Sequence, residues 1–184
     1  MTRRLQFFLA FVFSLLVVGQ IQAQTAPPKL YGALYSSNNG QTTGIYSLMA
    51  EEDAVLTPVK ADGTLIRSGV YVEGKYHTVV EVAESYSLVT YNPDTWETEG
   101  TAVVLSDVVI AMAHDHTTGT TYAIAKGSDN YQSLSTIDLA TGSIAKIGAL
   151  YDSQLPVIAP NAQGVALATA SDGTLYMVST GGRI

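Results

Sequence analysis

From about residue 30 onward, short runs of Val, Ile, Tyr, Thr and Ala alternate with breaks made of Gly, Asn, Asp and Ser. Gly69 to Val79 is broken at Glu73-Gly74, Ile110 to Ile124 at Asp115 to Gly119, and Val165 to Val178 at Asp172-Gly173. Each reads as a strand, a tight turn and a returning strand, because Gly accepts positive φ and an Asp carboxylate caps the backbone just ahead of it. No stretch of about 12 residues carries a sustained helical period with caps at its ends. The pattern predicts an all-β chain.

A second kind of hairpin alternates with the first. Leu134 to Gly142 is a strand ending in D-x-x-T-G, and Ile144 to Gly148 returns from it. Forty-six residues earlier, Leu88 to Trp96 has the same shape, with Asn92 in the place of Asp138 and Thr95 in that of Thr141. Ile45 to Asp53 is a weaker copy without the Thr-Gly, and Glu51-Glu52-Asp53 reads as a solvated turn. Two hairpins per repeat make one four-stranded antiparallel sheet, the size of a propeller blade. Tyr76, Tyr122 and Tyr176 follow their turn glycines in what reads as one register, and Ala111, Ala113, Ala166, Ala168 and Ala170 suit a crowded inner strand.

The first residues follow a different rule. Met1 to Arg4 is positively charged, Phe7 to Val18 is apolar but for Ser14, and Gly19 to Ala23 turns small and polar. This is the order of a cleavable signal peptide spanning 1–23, with the cut after Ala23. The apolar run is short of the roughly 20 residues that a membrane-spanning helix needs. Arg3-Arg4 suggests twin-arginine export, yet Gln6 and the strongly apolar run favour the general route. Residues 24–34, with Pro27-Pro28, read as a lead-in, and 35–184 as the repeat domain. The expected locations are the periplasm, the outer-membrane surface or the exterior, as in a Gram-negative cell.

Cleavage would change the composition. All four Phe leave with residues 1–23, so the mature chain holds eleven Tyr, Trp96 and no Phe, and the net charge moves from −7 to about −9. Such a chain makes a poor partner for nucleic acid or an anionic membrane. Cys is absent, so packing and strand pairing must hold the fold together.

Leu134 to Gly148 resembles the blades of quinoprotein-like and related secreted bacterial β-propellers, whose repeats run Y-x-I-D-x-x-T-G into a hydrophobic strand and I-G. As pattern, the resemblance extends over about residues 35–178, with one close repeat. It implies a propeller of four-stranded blades. The quinone enzymes carry a blade Trp after the Thr-Gly where this chain has Ile147, so no quinone, and no other cofactor, is expected. The repeats amount to about three and a half blades. Either the chain is a piece of a longer protein, the favoured reading, or Leu30 to Tyr35 pairs with the C-terminal hairpin to close a four-bladed ring.

Candidate chemistry is sparse. His114 and His116, at i and i+2, could share a strand face and chelate one ion. His77 is the only other histidine, so two exposed histidines flanking a turn are expected instead. Asp115, Asp138, Asp152 and Asp172 offer hard oxygens for calcium, yet none sits in a D-x-D-x-D-G loop, and turn capping explains them. Sixteen acids allow a glycosidase pair without indicating one, and no serine elbow, Cys nucleophile, zinc-protease helix or phosphate loop is present. The Tyr residues mostly fill the core, while Trp96, in its turn, is expected to be exposed and is the best single contact candidate. No catalytic, cofactor-binding or metal residue is assigned. The leading expectation is a secreted, non-enzymatic propeller-like module that binds a protein or glycan or acts as a scaffold. The alternative is the N-terminal part of an exported propeller enzyme, of hydrolase or lyase type, whose active site lies outside this chain.

Overall fold

The computed structural model describes residues 29–35, 40–50, 53–150 and 164–180. The segment read from sequence as a signal peptide, Glu51, Glu52, Asp152 and residues 181–184 lie outside the described residues. Within them every regular element is a strand, and every pairing is antiparallel.

Alternating apolar and polar residues fold into consecutive meanders. The first sheet joins β1 (Lys29–Leu34), β2 (Gly44–Met49) and β3 (Thr57–Lys60). The second is four-stranded, from β4 (Leu65–Val72), β5 (Lys75–Val82), β6 (Ser85–Tyr91) and β7 (Thr98–Val104). The third repeats it with β8 (Val108–Asp115), β9 (Thr120–Lys126), β10 (Gln132–Ile137) and β11 (Ile144–Ala149). A hairpin of β12 (Gly164–Thr169) and β13 (Leu175–Ser179) follows. These are propeller-like blades, and among the described residues the sheets are not closed into a ring. β1 pairs with β2 along its whole length, so strand structure is already present at Lys29, inside the expected lead-in, and no pairing joins it to the hairpin β12–β13 among the described residues.

Stacking of the sheets supplies the core. β1 lies against β4, β4 against β8, and β8 against β12, so the first strands of successive sheets form the inner row. Ile45 meets Ile66, Val80 and Tyr91 between the first and second sheets. Val70, Val72, Val79 and Leu88 meet Val109, Met112, Ala123 and Ile137 between the second and third. Ala111, Ile124 and Leu150 receive Leu167 and Met177 of the last hairpin. Gly164 is closed in by Ile124, Met177 and Leu150 side chains, with 2.7 Å from its would-be Cβ to Ile124 Cδ1, so a larger residue there would separate these layers.

One device recurs in every inner strand after the first. The ladder slips between Ile66 and Ser68, between Val109 and Ala111, and between Gly164 and Ala166, leaving Arg67, Ile110 and Val165 each in a bulge. Three residues after the bulge, Val70 pairs with His77, Ala113 with Tyr122 and Ala168 with Tyr176. Tyr76 is therefore out of step with Tyr122 and Tyr176, contrary to the single register expected from sequence. The two-residue turn Glu73-Gly74, with φ of 49° and 80°, brings β5 back sooner than the longer turns do, and a one-residue offset reverses the face. Tyr76 accordingly faces the first sheet, where it packs with the cluster around Ile45.

Candidate functional site

Both kinds of hairpin turn within a blade lie at the same end of the meander, because strands run alternately up and down. Asp and Asn build these turns as the sequence suggests. The Asp138 carboxylate accepts from the N–H of Ala140 (2.8 Å) and of Thr141 (3.1 Å), and Gly142 N–H donates to the Asp138 carbonyl (2.8 Å). Asn92 does the same for Asp94 and Thr95, and Trp96 N–H closes its turn at 2.7 Å. Asp115 is buried, accepting from the Thr117 N–H and from the hydroxyls of Thr117 and Thr118. Those hydroxyls, Thr118 first, hold its carboxyl down at about 2. Asp172 caps its own turn through Thr174 N–H. Asn92, Asp115, Asp138 and Asp172 each cap a turn, which is the role the sequence suggested for the three aspartates.

The histidines come to this end, and two of them meet. His114 and His116 meet edge to face, with ring centroids 4.7 Å apart, and His114 Nδ1 is hydrogen-bonded with the Thr121 hydroxyl at 2.8 Å. His116 falls beyond the end of β8, in the turn. Among the described residues no three His, Cys, Asp or Glu side chains gather to hold a metal. His77, half-buried on β5, is joined through Nδ1 to the Thr90 hydroxyl at 3.0 Å. Burial, and then Lys75, hold its ring below the ordinary histidine range, and burial followed by His116 does so for His114.

Trp96 is half-buried rather than exposed. Its ring lies 5.0 Å from that of Tyr31 on β1 and 5.8 Å, edge-on, from Tyr76. It adopts φ of 58°, a conformation uncommon for a bulky residue, and the packing of three aromatic rings holds it there. Its role is to join the first two sheets.

The feature that sequence did not indicate is a groove between the second and third sheets. It has a volume of about 520 Å³, with Val72, Leu88, Val103 and Leu139 as apolar lining and Glu73, Lys75, His77 and Glu99 as ionisable lining. Lys75 Nζ is 3.1 Å from Glu99 Oε2, while Asn92 Nδ2 donates to Glu99 Oε1 at 3.1 Å. These two bonds, that of Lys75 first, hold the Glu99 carboxyl below its ordinary value. Lys75, His77, Thr90 and Glu99 come from three adjacent strands, which is why no linear motif announces them. The detectable trace was periodicity: Lys75 and His77 stand at i and i+2 on β5, and so on one face.

No family model matches the chain, and no curated protein matches it. A solved structure that it resembles is titled "Crystal structure of Nidogen/Laminin Complex", at 17% sequence identity and a TM-score of 0.49. That match covers 82% of this chain and 52% of the other, so the chain spans about half the length of that neighbour.

Proposed function

We propose that this chain is an exported, non-enzymatic propeller-like binding module, and that its ligand is a short polar segment of a partner protein held in the groove between the second and third sheets. The observation that carries this reading is the groove's lining. A volume of about 520 Å³ is in the range of ligand sites, and an apolar floor beside Lys75, Glu99, Glu73 and His77 suits an extended peptide with mixed side chains. Its lining contains no Tyr or Trp, the flat surfaces on which sugars stack, so a peptide is favoured over a glycan. Lys75 and Glu99 satisfy each other, and His77 is engaged by Thr90, an arrangement suited to recognition rather than to proton transfer. Export rests on the order of charge and apolarity in Met1 to Ala23.

Parallel peptide and glycan arrays, followed by titration of the hits, test this reading. Lys75→Ala and His77→Ala should each weaken peptide binding about tenfold, equivalent to about 1.4 kcal/mol. Hits confined to glycans, or peptide binding indifferent to both substitutions, would refute it.

A further inference from the structure

We infer that the cavity beside the loop joining β9 and β10 is a saccharide site, which takes one neutral sugar ring from the end of a glycan. It is separate from the groove that holds Lys75 and Glu99 and does not rest on the reading of that groove. The length of the loop is the first observation. In the second sheet the corresponding strands, β5 and β6, are joined by Ala83 and Glu84 alone, since Val82 pairs with Ser85. In the third, Lys126 pairs with Gln132, and the five residues from Gly127 to Tyr131 stand between them. Strand pairing does not require the additional three, and in repeat proteins such insertions often build the binding surface.

The cavity has a volume of about 260 Å³ and is lined by Asp129 and Tyr131 of the loop, Asp107 of the connection before β8, Ser133 and Ser135 of β10, and Lys146 of β11. Ser133 and Ser135 share a strand face with Ile137, which packs toward the second sheet, whereas Leu134 and Leu150 pack on the opposite face with Leu167 and Met177. Asp129 Oδ1 accepts the Tyr131 N–H at 3.0 Å, which fixes the backbone that carries the ring, and Tyr131 is 59% exposed. Two carboxylates meet beside Gly127: a Cβ there would be 3.6 Å from Asp129 Oδ1 and 3.9 Å from Asp107 Oδ1. Glu81 and Glu99 are neutralised by Arg67 and Lys75. The side chains of Asp107 and Lys146, by contrast, enter no hydrogen bond or ion pair among the described residues. Below them, the buried hydroxyls of Ser133 and Ser135 are bonded to each other at 3.0 Å.

This mixture selects the ligand class. Carboxylates only accept hydrogen bonds and the Lys146 ammonium only donates them, so the matching ligand carries both donors and acceptors, as neighbouring sugar hydroxyls do. The like charges of Asp107 and Asp129 disfavour an anion, and Lys146 disfavours a metal ion or a basic side chain. Neutral O–H donors relieve the two carboxylates without burying a further charge. Tyr131 adds a flat apolar face with a polar tip, against which one side of a sugar ring stacks. The cavity is smaller than the ~300–1,000 Å³ of sites for larger ligands, so it holds one ring and leaves the rest of a glycan in solvent.

The test is a glycan array probed with the protein expressed from its complete sequence, with hits titrated by saturation-transfer NMR. Neutral terminal sugars are expected to bind, and acid-terminated ones are not. Tyr131→Ala should weaken binding about tenfold and Asp107→Asn about fivefold, with far-UV ellipticity retained. Lys75→Ala and His77→Ala should leave the saccharide titration unchanged, which separates this site from the groove. An array without saccharide hits would overturn the inference, as would sugar binding that survives Tyr131→Ala or disappears with Lys75→Ala. Calcium binding that is abolished by Asp107→Asn, indifferent to Tyr131→Ala and accompanied by no bound sugar would contradict it too, and would make the two carboxylates a cation site.

Discussion

The turn from Asn92 to Trp96 in the second sheet and the turn from Asp138 to Gly142 in the third have the same hydrogen bonds but end in very different residues. Both last positions have positive φ, 58° at Trp96 and 69° at Gly142. At Gly142 an added Cβ would sit 2.8 Å from Val103 Cγ1 and 3.0 Å from Leu105 Cδ2, at and just beyond the end of β7. Among the described residues the first sheet has three strands, and no fourth strand meets the turn from Asn92 to Trp96. Trp96 lies instead against Tyr31 and Tyr76. The backbone of the turn is thus set by its own cap, while the residue at its end is set by the neighbouring sheet.

The sharpest way to break this comparison is Gly142→Ala, which meets both an adverse φ and a closed space and should cost about 2–4 kcal/mol in urea unfolding. The reciprocal change, Trp96→Gly, relieves the backbone but removes the three-ring contact, and a net loss of about 1–3 kcal/mol is expected in the same measurement. Removing either cap should have smaller and matched effects: Asn92→Ala and Asp138→Ala should each cost about 1 kcal/mol. A large difference between those two would show that the turns are not equivalent.

The smallest effect concerns pH. His77 and His114 bind protons less readily folded than unfolded, so stability should fall as pH drops below the ordinary histidine value of about 6.5 and level off below their folded values. Glu81 and Asp138 are held low, Glu81 by Arg67 first and Asp138 by the Ala140 N–H first, so a second loss should follow as pH falls through their folded values. Melting temperatures across this range for His77→Gln combined with His114→Gln should lose the first decline and keep the second.

The turns and the all-β class were legible in the sequence because Asp, Asn and Gly act locally: Asp138, Asn92 and Glu73-Gly74 do what their chemistry dictates wherever they stand. What depended on neighbours was not. The bulges at Arg67, Ile110 and Val165 share no residue type, and it is these that fix which side of each strand faces which sheet. Tyr76 was placed in the wrong register because its turn, Glu73-Gly74, is shorter than the corresponding turns of the later hairpins, and Trp96 was read as exposed because its partner Tyr31 is far away in sequence. Ala83 and Glu84 form a turn with φ of 49° and 64° without any glycine, so no breaker marked it. The candidate groove was hidden more deeply, since Lys75, His77, Thr90 and Glu99 meet only through strand pairing and sheet stacking.

The central claim is that each sheet is locked to the preceding one by residues at its turns and inner strand, and Trp96 reports on it directly as the only Trp in the chain. Emission and acrylamide quenching of Trp96 should show a blue-shifted, partly shielded indole that becomes red-shifted and accessible on Tyr31→Ala, with far-UV ellipticity unchanged. Emission typical of free indole in the unsubstituted protein, or a spectrum unmoved by Tyr31→Ala, would contradict it.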